Sequence, residues 1–165
     1  MKLFQKTGLI LLLALFIGTL LLTGFIFAKD LAPTKGKASV NPKYGEGSIN
    51  EEVTIQSTQY LQEGTNYIQL VSEDTVEVGG KTVAYSPVDE ISVDLFLQIW
   101  DSSNGKWVDI VHVGEFTLNN SSIVEGSKNV IVVKGYYYRT HSKHTAISDG
   151  ITEQKTAFSD YIYVN

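Results

Sequence analysis

Between Glu90 and Asp101 the chain alternates with little ambiguity. Ile91, Val93, Leu95, Leu97 and Ile99 take every second position, and Ser92, Asp94, Phe96, Gln98 and Trp100 fill the places between. A strand sends successive side chains to opposite faces, so the five aliphatics share one face and Asp94, Phe96, Gln98 and Trp100 share the other. Asp101-Ser102-Ser103-Asn104-Gly105 follows. Asn-Gly supplies the positive-φ residues of a tight hairpin, which predicts a returning strand from Lys106 to Val113.

The same reading applies along the chain. Glu52–Tyr60 predicts a weak first strand with Val53 and Ile55 inward, and Asn66–Val71 a second with Ile68 and Leu70. Thr75–Val78 and Thr82–Tyr85 flank Gly79-Gly80, which reads as another hairpin turn. Ser86-Pro87-Val88-Asp89 reads as a break. Phe116–Ser127 is polar and loop-like, whereas Val130–Val133 is apolar throughout, as in a strand buried on both faces. Tyr136–Ser142 is a strand, His144–Glu153 a loop and Ala157–Val164 the closing strand. About eight short strands with no helical period after Ala28 predict an all-β domain over residues 51–165, a sandwich or barrel.

The head of the chain differs in kind. Lys2 and Lys6 precede Gly8–Ala28, 21 residues without a charge. A positive end followed by an apolar run reads as an N-terminal signal or transmembrane helix over residues 1–28, and the run is long enough to span a bilayer. Cleavage after Ala28 gives a secreted chain. Without cleavage, residues 8–28 anchor the protein to the outer face of the cytoplasmic membrane. Either outcome exports the rest. Residues 29–50, with Pro33, Pro42, Gly36, Gly45 and Gly47, read as a flexible spacer.

Charge and cysteine content narrow the function. With Lys2 and Lys6 set aside, the remainder carries 11 basic and 18 acidic side chains, a net charge of −7. Nucleic-acid binding rests on clustered positive charge and is not expected. The chain has no cysteine, which excludes disulfides, thiolate metal sites and thiol catalysis.

Val132-Val133-Lys134-Gly135-Tyr136-Tyr137-Tyr138-Arg139-Thr140 resembles the E–F corner of an immunoglobulin or fibronectin type III sandwich. There a Gly-containing turn precedes a Tyr-rich F strand, and a corner tyrosine bonds upstream backbone. The resemblance gives Tyr136 that role, with Tyr138 as the alternative. Ser159–Val164 is similar to a G strand, and Ile91–Trp100 with its hairpin to strands C and C′. Val83–Asn165 also resembles small secreted proteins of Gram-positive bacteria in which a Trp-Val strand is followed by a Gly-Tyr-Tyr-Tyr-Arg strand and a histidine. The resemblance implies an immunoglobulin-like antiparallel β-sandwich and a place outside the cell, not an activity.

Little in the sequence carries chemistry. His141 and His144 have H-x-x-H spacing, but positions i and i+3 of a strand face opposite ways, so a metal site is not expected and both read as solvated strand-end histidines. No nucleophile elbow and no Gly-rich loop opening a helix is present, so neither a catalytic residue nor a cofactor is expected. The sharper idea is an aromatic face. With strands C, F and G adjacent, Phe96, Trp100, Tyr137, Arg139, Tyr161 and Tyr163 would share one outer surface. Aromatics among polar groups suit a sugar ring or a partner protein. Cross-strand stacking that only stabilises the sheet, or coverage of the face by residues 50–70, would explain the same residues. The leading expectation is a non-enzymatic cell-envelope or extracellular binding module for a wall glycan or a surface protein. The alternative is a structural or self-associating envelope protein, and a small secreted hydrolase comes last.

Overall fold

The computed structural model describes residues 31–49 and 59–165. The expected export segment and most of the expected first strand lie outside the described residues. The rest is all β, one antiparallel sheet curled into two facing layers like a sandwich.

Among the described residues seven strands build it: β1 (Tyr44–Ser48), β2 (Leu61–Ser72), β3 (Thr75–Asp101), β4 (Lys106–Ile131), β5 (Tyr136–Ser148), β6 (Ile151–Phe158) and β7 (Ile162–Val164). β3 and β4 form one long hairpin that runs through both layers. Along residues 75–84 the other side of β3 pairs with β2, and along 90–99 it pairs with β5. β1 extends the first layer beyond β2, while β6 and β7 extend the second beyond β5. The hairpin bends where the β3–β4 register jumps between Val83 and Val88. Pro87 falls in that gap and has no N–H to give a ladder. On the opposite strand Asn120 takes a φ of 51°. The bend brings the two arms of β4 together, with the Phe116 ring lying over the bare backbone of Gly126.

The core is the inner face expected from the alternation. Ile91, Val93, Leu95, Leu97 and Ile99 are all buried, opposite Leu61, Ile68, Val76 and Val78 of the other layer. Each such side chain contributes about 1.5–3 kcal/mol by leaving water. Ile162 and Val164 close the far end, also inward.

Several local expectations are corrected. Gly79-Gly80 is not a turn; it runs straight through β3, and the true β2–β3 turn lies between Ser72 and Thr75. The glycines are there for close approach: a Cβ on Gly79 would lie 2.3 Å from the Tyr67 ring, and one on Gly80 would press on Leu95 and Val93. Phe116–Ser127 is strand, not loop, because an edge strand keeps its ladder on one side while its other groups face water. Val130–Val133 is not buried on both faces, because a two-layer sheet leaves one face of each strand to water; Ile131 and Val133 are exposed, and the strand ends at Ile131. His144–Glu153 is a hairpin between β5 and β6 that turns on Asp149 (φ 52°) and Gly150 (φ 74°). In the Asp101–Lys106 hairpin only Gly105 has positive φ, and the Asp101 carboxylate accepts from Asn104 Nδ2 at 2.6 Å and from the Ser103 and Asn104 N–H groups.

Part of the expected spacer is bonded to the sheet. β1 lies within it, and its two glycines fall at alternate positions. A Cβ on Gly45 would sit 2.2 Å from the Asp160 carbonyl oxygen, and one on Gly47 1.9 Å from that of Phe158. Bare backbone on that face lets β1 close against the β6–β7 connection, where the Asp160 N–H donates to the Glu46 carbonyl at 2.9 Å. The glycines that suggested flexibility serve contact instead.

Candidate functional site

The outer face of the second layer is where the six candidate residues lie. Phe96 and Trp100 come from β3, Tyr137 and Arg139 from β5, Tyr163 from β7, and Tyr161 from just before β7. They form a continuous run only with three residues outside that set, Trp107 of β4, His141 of β5 and Phe158 of β6.

At one end Phe96 stacks on His112 at 5.0 Å and on His141 at 5.2 Å, with the Lys143 ammonium 5.0 Å from its ring centre. His141 stacks in turn on Phe158 at 4.9 Å. In the middle the Arg139 guanidinium lies between the Trp107 ring at 4.5 Å and the Phe158 ring at 4.3 Å. Its Nε donates to Gln98 Oε1 at 2.7 Å, and Gln98 Nε2 donates to Asp109 Oδ1 at 2.8 Å. Burial pushes the Arg139 pKa down to about 10, partly offset by the Asp109 charge. At the other end Trp107 touches Trp100 at 5.3 Å and Tyr161 at 5.6 Å, Tyr161 meets Tyr137 edge-on at 5.7 Å, and Tyr137 meets Tyr163 at 4.8 Å.

This face is partly roofed by an earlier part of the chain; of residues 50–70, the other cover considered, the described residues 61–70 belong to β2 of the other layer. Residues 35–39 cross it as a strap. The Trp107 indole N–H donates to the Lys35 carbonyl at 2.8 Å, the Tyr161 N–H to the Lys37 carbonyl at 2.8 Å, and the Ser39 N–H to the Tyr161 carbonyl at 2.9 Å. Lys37 pairs with Asp160 at 3.0 Å. Gly36 (φ 87°) marks the tightest crossing, where a Cβ would lie 3.0 Å from Arg139 Nη1 and 3.3 Å from Trp107 Nε1.

Trp100 lies on the outer side of the strand but is only 3% exposed, with Trp107 lying against it. It supports the face from beneath. The expectation that it meets solvent is corrected. The other five are half-buried, each shielded by its stacking neighbours. Three of them, Tyr137, Tyr161 and Tyr163, wall a cleft of about 460 Å³ on one side of the strap, with Ser39, Lys43 and Asn165 at its rim. A second cleft of about 330 Å³ lies on the other side of the strap and includes Lys37, Arg139 and Phe158.

Trp107 could have been found from the hairpin. Asp101 pairs with Lys106, so Trp107 must face Trp100 across the ladder. The strap and Phe158 leave no comparable local mark, because they arrive from distant parts of the chain.

A second polar cluster lies between the layers. His144 is fully buried, not a solvated strand end; its Nδ1 is 2.8 Å from the Thr82 hydroxyl and its Nε2 2.7 Å from the Ser142 hydroxyl. Thr82 donates its proton to the Ser92 carbonyl, so it accepts from Nδ1–H, and Nε2 accepts from Ser142. Asn66 Nδ2 donates to Ser142 Oγ at 2.7 Å and to the Ala157 carbonyl at 3.0 Å. Burial pushes the His144 pKa down to about 4, so the ring is neutral at pH 7. His141 faces outward and His144 inward, as alternate facing requires, so the two rings of the H-x-x-H spacing do not converge. The Gly64 backbone lies against the His144 ring, where a Cβ would come within 2.5 Å of it. The Ser142–His144 pair therefore has the spacing of a nucleophile and base but no exposure to a substrate. No family model matches this sequence, and comparison with curated proteins finds no match either.

Proposed function

We propose that the protein is an exported, non-enzymatic binding module of the cell envelope or extracellular space, immunoglobulin-like in build, whose ligand is a wall glycan or another surface protein. The observation that carries the reading is the cleft of about 460 Å³ walled by Tyr137, Tyr161 and Tyr163. Flat rings beside the hydroxyl, ammonium and amide groups of Ser39, Lys43 and Asn165 suit a sugar, which offers an apolar ring face and many hydroxyls. Export rests on Lys2 and Lys6 followed by the uncharged run Gly8–Ala28. The immunoglobulin-like build draws support from Tyr138, whose hydroxyl donates to the Val133 carbonyl as a corner tyrosine does.

The test is retention on purified cell-wall material. Tyr137→Ala with Tyr161→Ala should release the protein while its circular dichroism stays that of a folded β protein. A soluble wall oligosaccharide should compete if the ligand is glycan, and protease-stripped wall should lose binding if it is protein. Full retention of the folded double variant would overturn the reading.

A further inference from the structure

β4 ends the sheet on one side. From Lys106 to Ile131 it pairs with β3 and with no other strand among the described residues. Such an edge turns about half of its N–H and C=O groups away from its neighbour, where they are free to bond another extended chain.

The two arms of this edge are built differently. In the arm over residues 106–121 the register shifts twice, leaving Val113 and Ile110 without a partner on β3. Lys106, Asp109, His112 and Glu115 are spaced along it. Bulges and charges are the usual means by which an edge repels foreign strands. The arm over residues 123–131 lacks the bulges. Nine consecutive residues pair with Thr75–Val83 without a shift. On its outer face Ile123 is 43% and Ile131 80% exposed. A straight strand edge with two exposed isoleucines is poorly protected for a protein that stays alone.

We infer that residues 123–131 are the contact for a second copy of this chain, arm against arm, antiparallel about a two-fold axis at Ser127. The choice of partner comes from the pattern itself. Paired residues of adjacent strands point to the same face, so odd positions must meet odd positions and the axis must pass through a residue. At Ser127 it puts Ile123 opposite Ile131 of the second copy, and Ile131 opposite the other Ile123. Glu125 then faces Asn129, and Lys128 faces Gly126, so no like charges oppose. Moving the axis to Gly126 or Lys128 puts Ile131 opposite Ser121 or Glu125 instead. An isologous contact of this kind closes as a dimer and leaves the tyrosine cleft, which no residue of 123–131 lines, uninvolved.

The absence of cysteine makes a direct test possible. In the full chain, Ser127→Cys places two thiols across the axis and should give a disulfide-linked dimer on mild oxidation. Glu125→Cys places them four residues apart across the axis and should stay monomeric on a non-reducing gel. Sedimentation of the detergent-solubilised full chain should show concentration-dependent dimers. Ile123→Lys with Ile131→Lys should abolish them by setting Lys opposite Lys, while Ile123→Lys with Ile131→Glu should retain them. The two pairs differ only in the β4 arm, so association through residues 8–28 would not separate them. Equal cross-linking at positions 125 and 127, no cross-linking at 127, or equal association of the two pairs would overturn the inference.

Discussion

The hydroxyl of Tyr138 donates a 2.7 Å hydrogen bond to the carbonyl of Val133, five residues upstream. The bond ties the end of the β4–β5 connection to its start, across the turn at Gly135, whose φ is 89°. Of the two tyrosines considered for this role Tyr138 fills it, because its ring is buried and its hydroxyl alone reaches back out, whereas Tyr136 packs against the core margin. Burial raises the Tyr138 pKa to about 12. Tyr138→Phe keeps the ring and removes the bond, and the exposed Val133 can offer its carbonyl to water. The expected loss is about 1 kcal/mol, seen as a lower urea midpoint with an unchanged slope. A midpoint equal to the parent's would remove the corner bond from any account of stability.

β1 rests on bare backbone. Gly47→Ala would drive a methyl into the Phe158 carbonyl, which is main chain and cannot swing aside. The expected effect is a loss of roughly 1–3 kcal/mol, with faster proteolysis at Lys37 and Lys43 as the segment peels away. Glu46→Ala, at the exposed position between the glycines, should shift stability by no more than about 0.5 kcal/mol. If both variants behaved alike, β1 would be packed by its side chains and not by its backbone.

How far the sequence carried depended on whether the cause was local. The register of β3 was legible because Ile91–Ile99 alternates without interruption and a one-residue slip would turn every aliphatic to water. Gly79-Gly80 misled because the pair that suits a hairpin also suits a strand with a tyrosine ring lying on it; the Tyr67 contact comes from β2 and leaves no mark near the glycines. Asp149-Gly150 was a turn signal inside a stretch read as loop, and alternation before it should have extended β5 to Ser148. The polarity of Phe116–Ser127 reflects its place at a sheet edge, which depends on strand order. Of the aromatic face, the six candidates followed from alternation within each strand together with the adjacency of strands that the immunoglobulin-like resemblance implied. The strap and Phe158 needed the tertiary fold.

Arg139 should be replaceable only by itself. Its guanidinium plane lies between Trp107 and Phe158 while Nε holds Gln98. A lysine keeps the charge but cannot present a flat face to both rings and donate to Gln98 together. Arg139→Lys should lose roughly 1–2 kcal/mol and shift the tryptophan emission to the red as Trp107 loosens. Unchanged emission would mean that the stacking does not fix the Trp107 ring.

The buried histidine sets an acid limit on the fold. His144 has a folded pKa of about 4, against about 6.5 in an unfolded chain. Between those values the unfolded chain binds a proton that the native one refuses, so stability falls as pH falls. The loss begins near pH 6.5 and reaches roughly 3 kcal/mol by pH 4. Protonation would also require Ser142 to turn its hydroxyl from Nε2 toward the Ala157 carbonyl, 3.5 Å away. Two carboxyls act in the same direction at lower pH. Asp101 is held below its usual range by the Asn104 side chain and neighbouring N–H groups. For Glu153 desolvation is the largest single influence and pushes upward, but the N–H groups of Leu61, Gln59 and Tyr60 together with the Lys155 charge outweigh it and hold the carboxyl low. Their share is lost only from about pH 4.5 downward. His144→Gln, which can still bond Thr82 and Ser142, should be less stable at pH 7 but hold that stability nearly level from pH 6.5 to pH 4.5. Urea midpoints at half-unit steps, with the ring protons of His144 followed by NMR, measure both. A His144 resonance that titrates near pH 6.5, or a Gln variant with the parent's slope, would mean that the ring meets solvent.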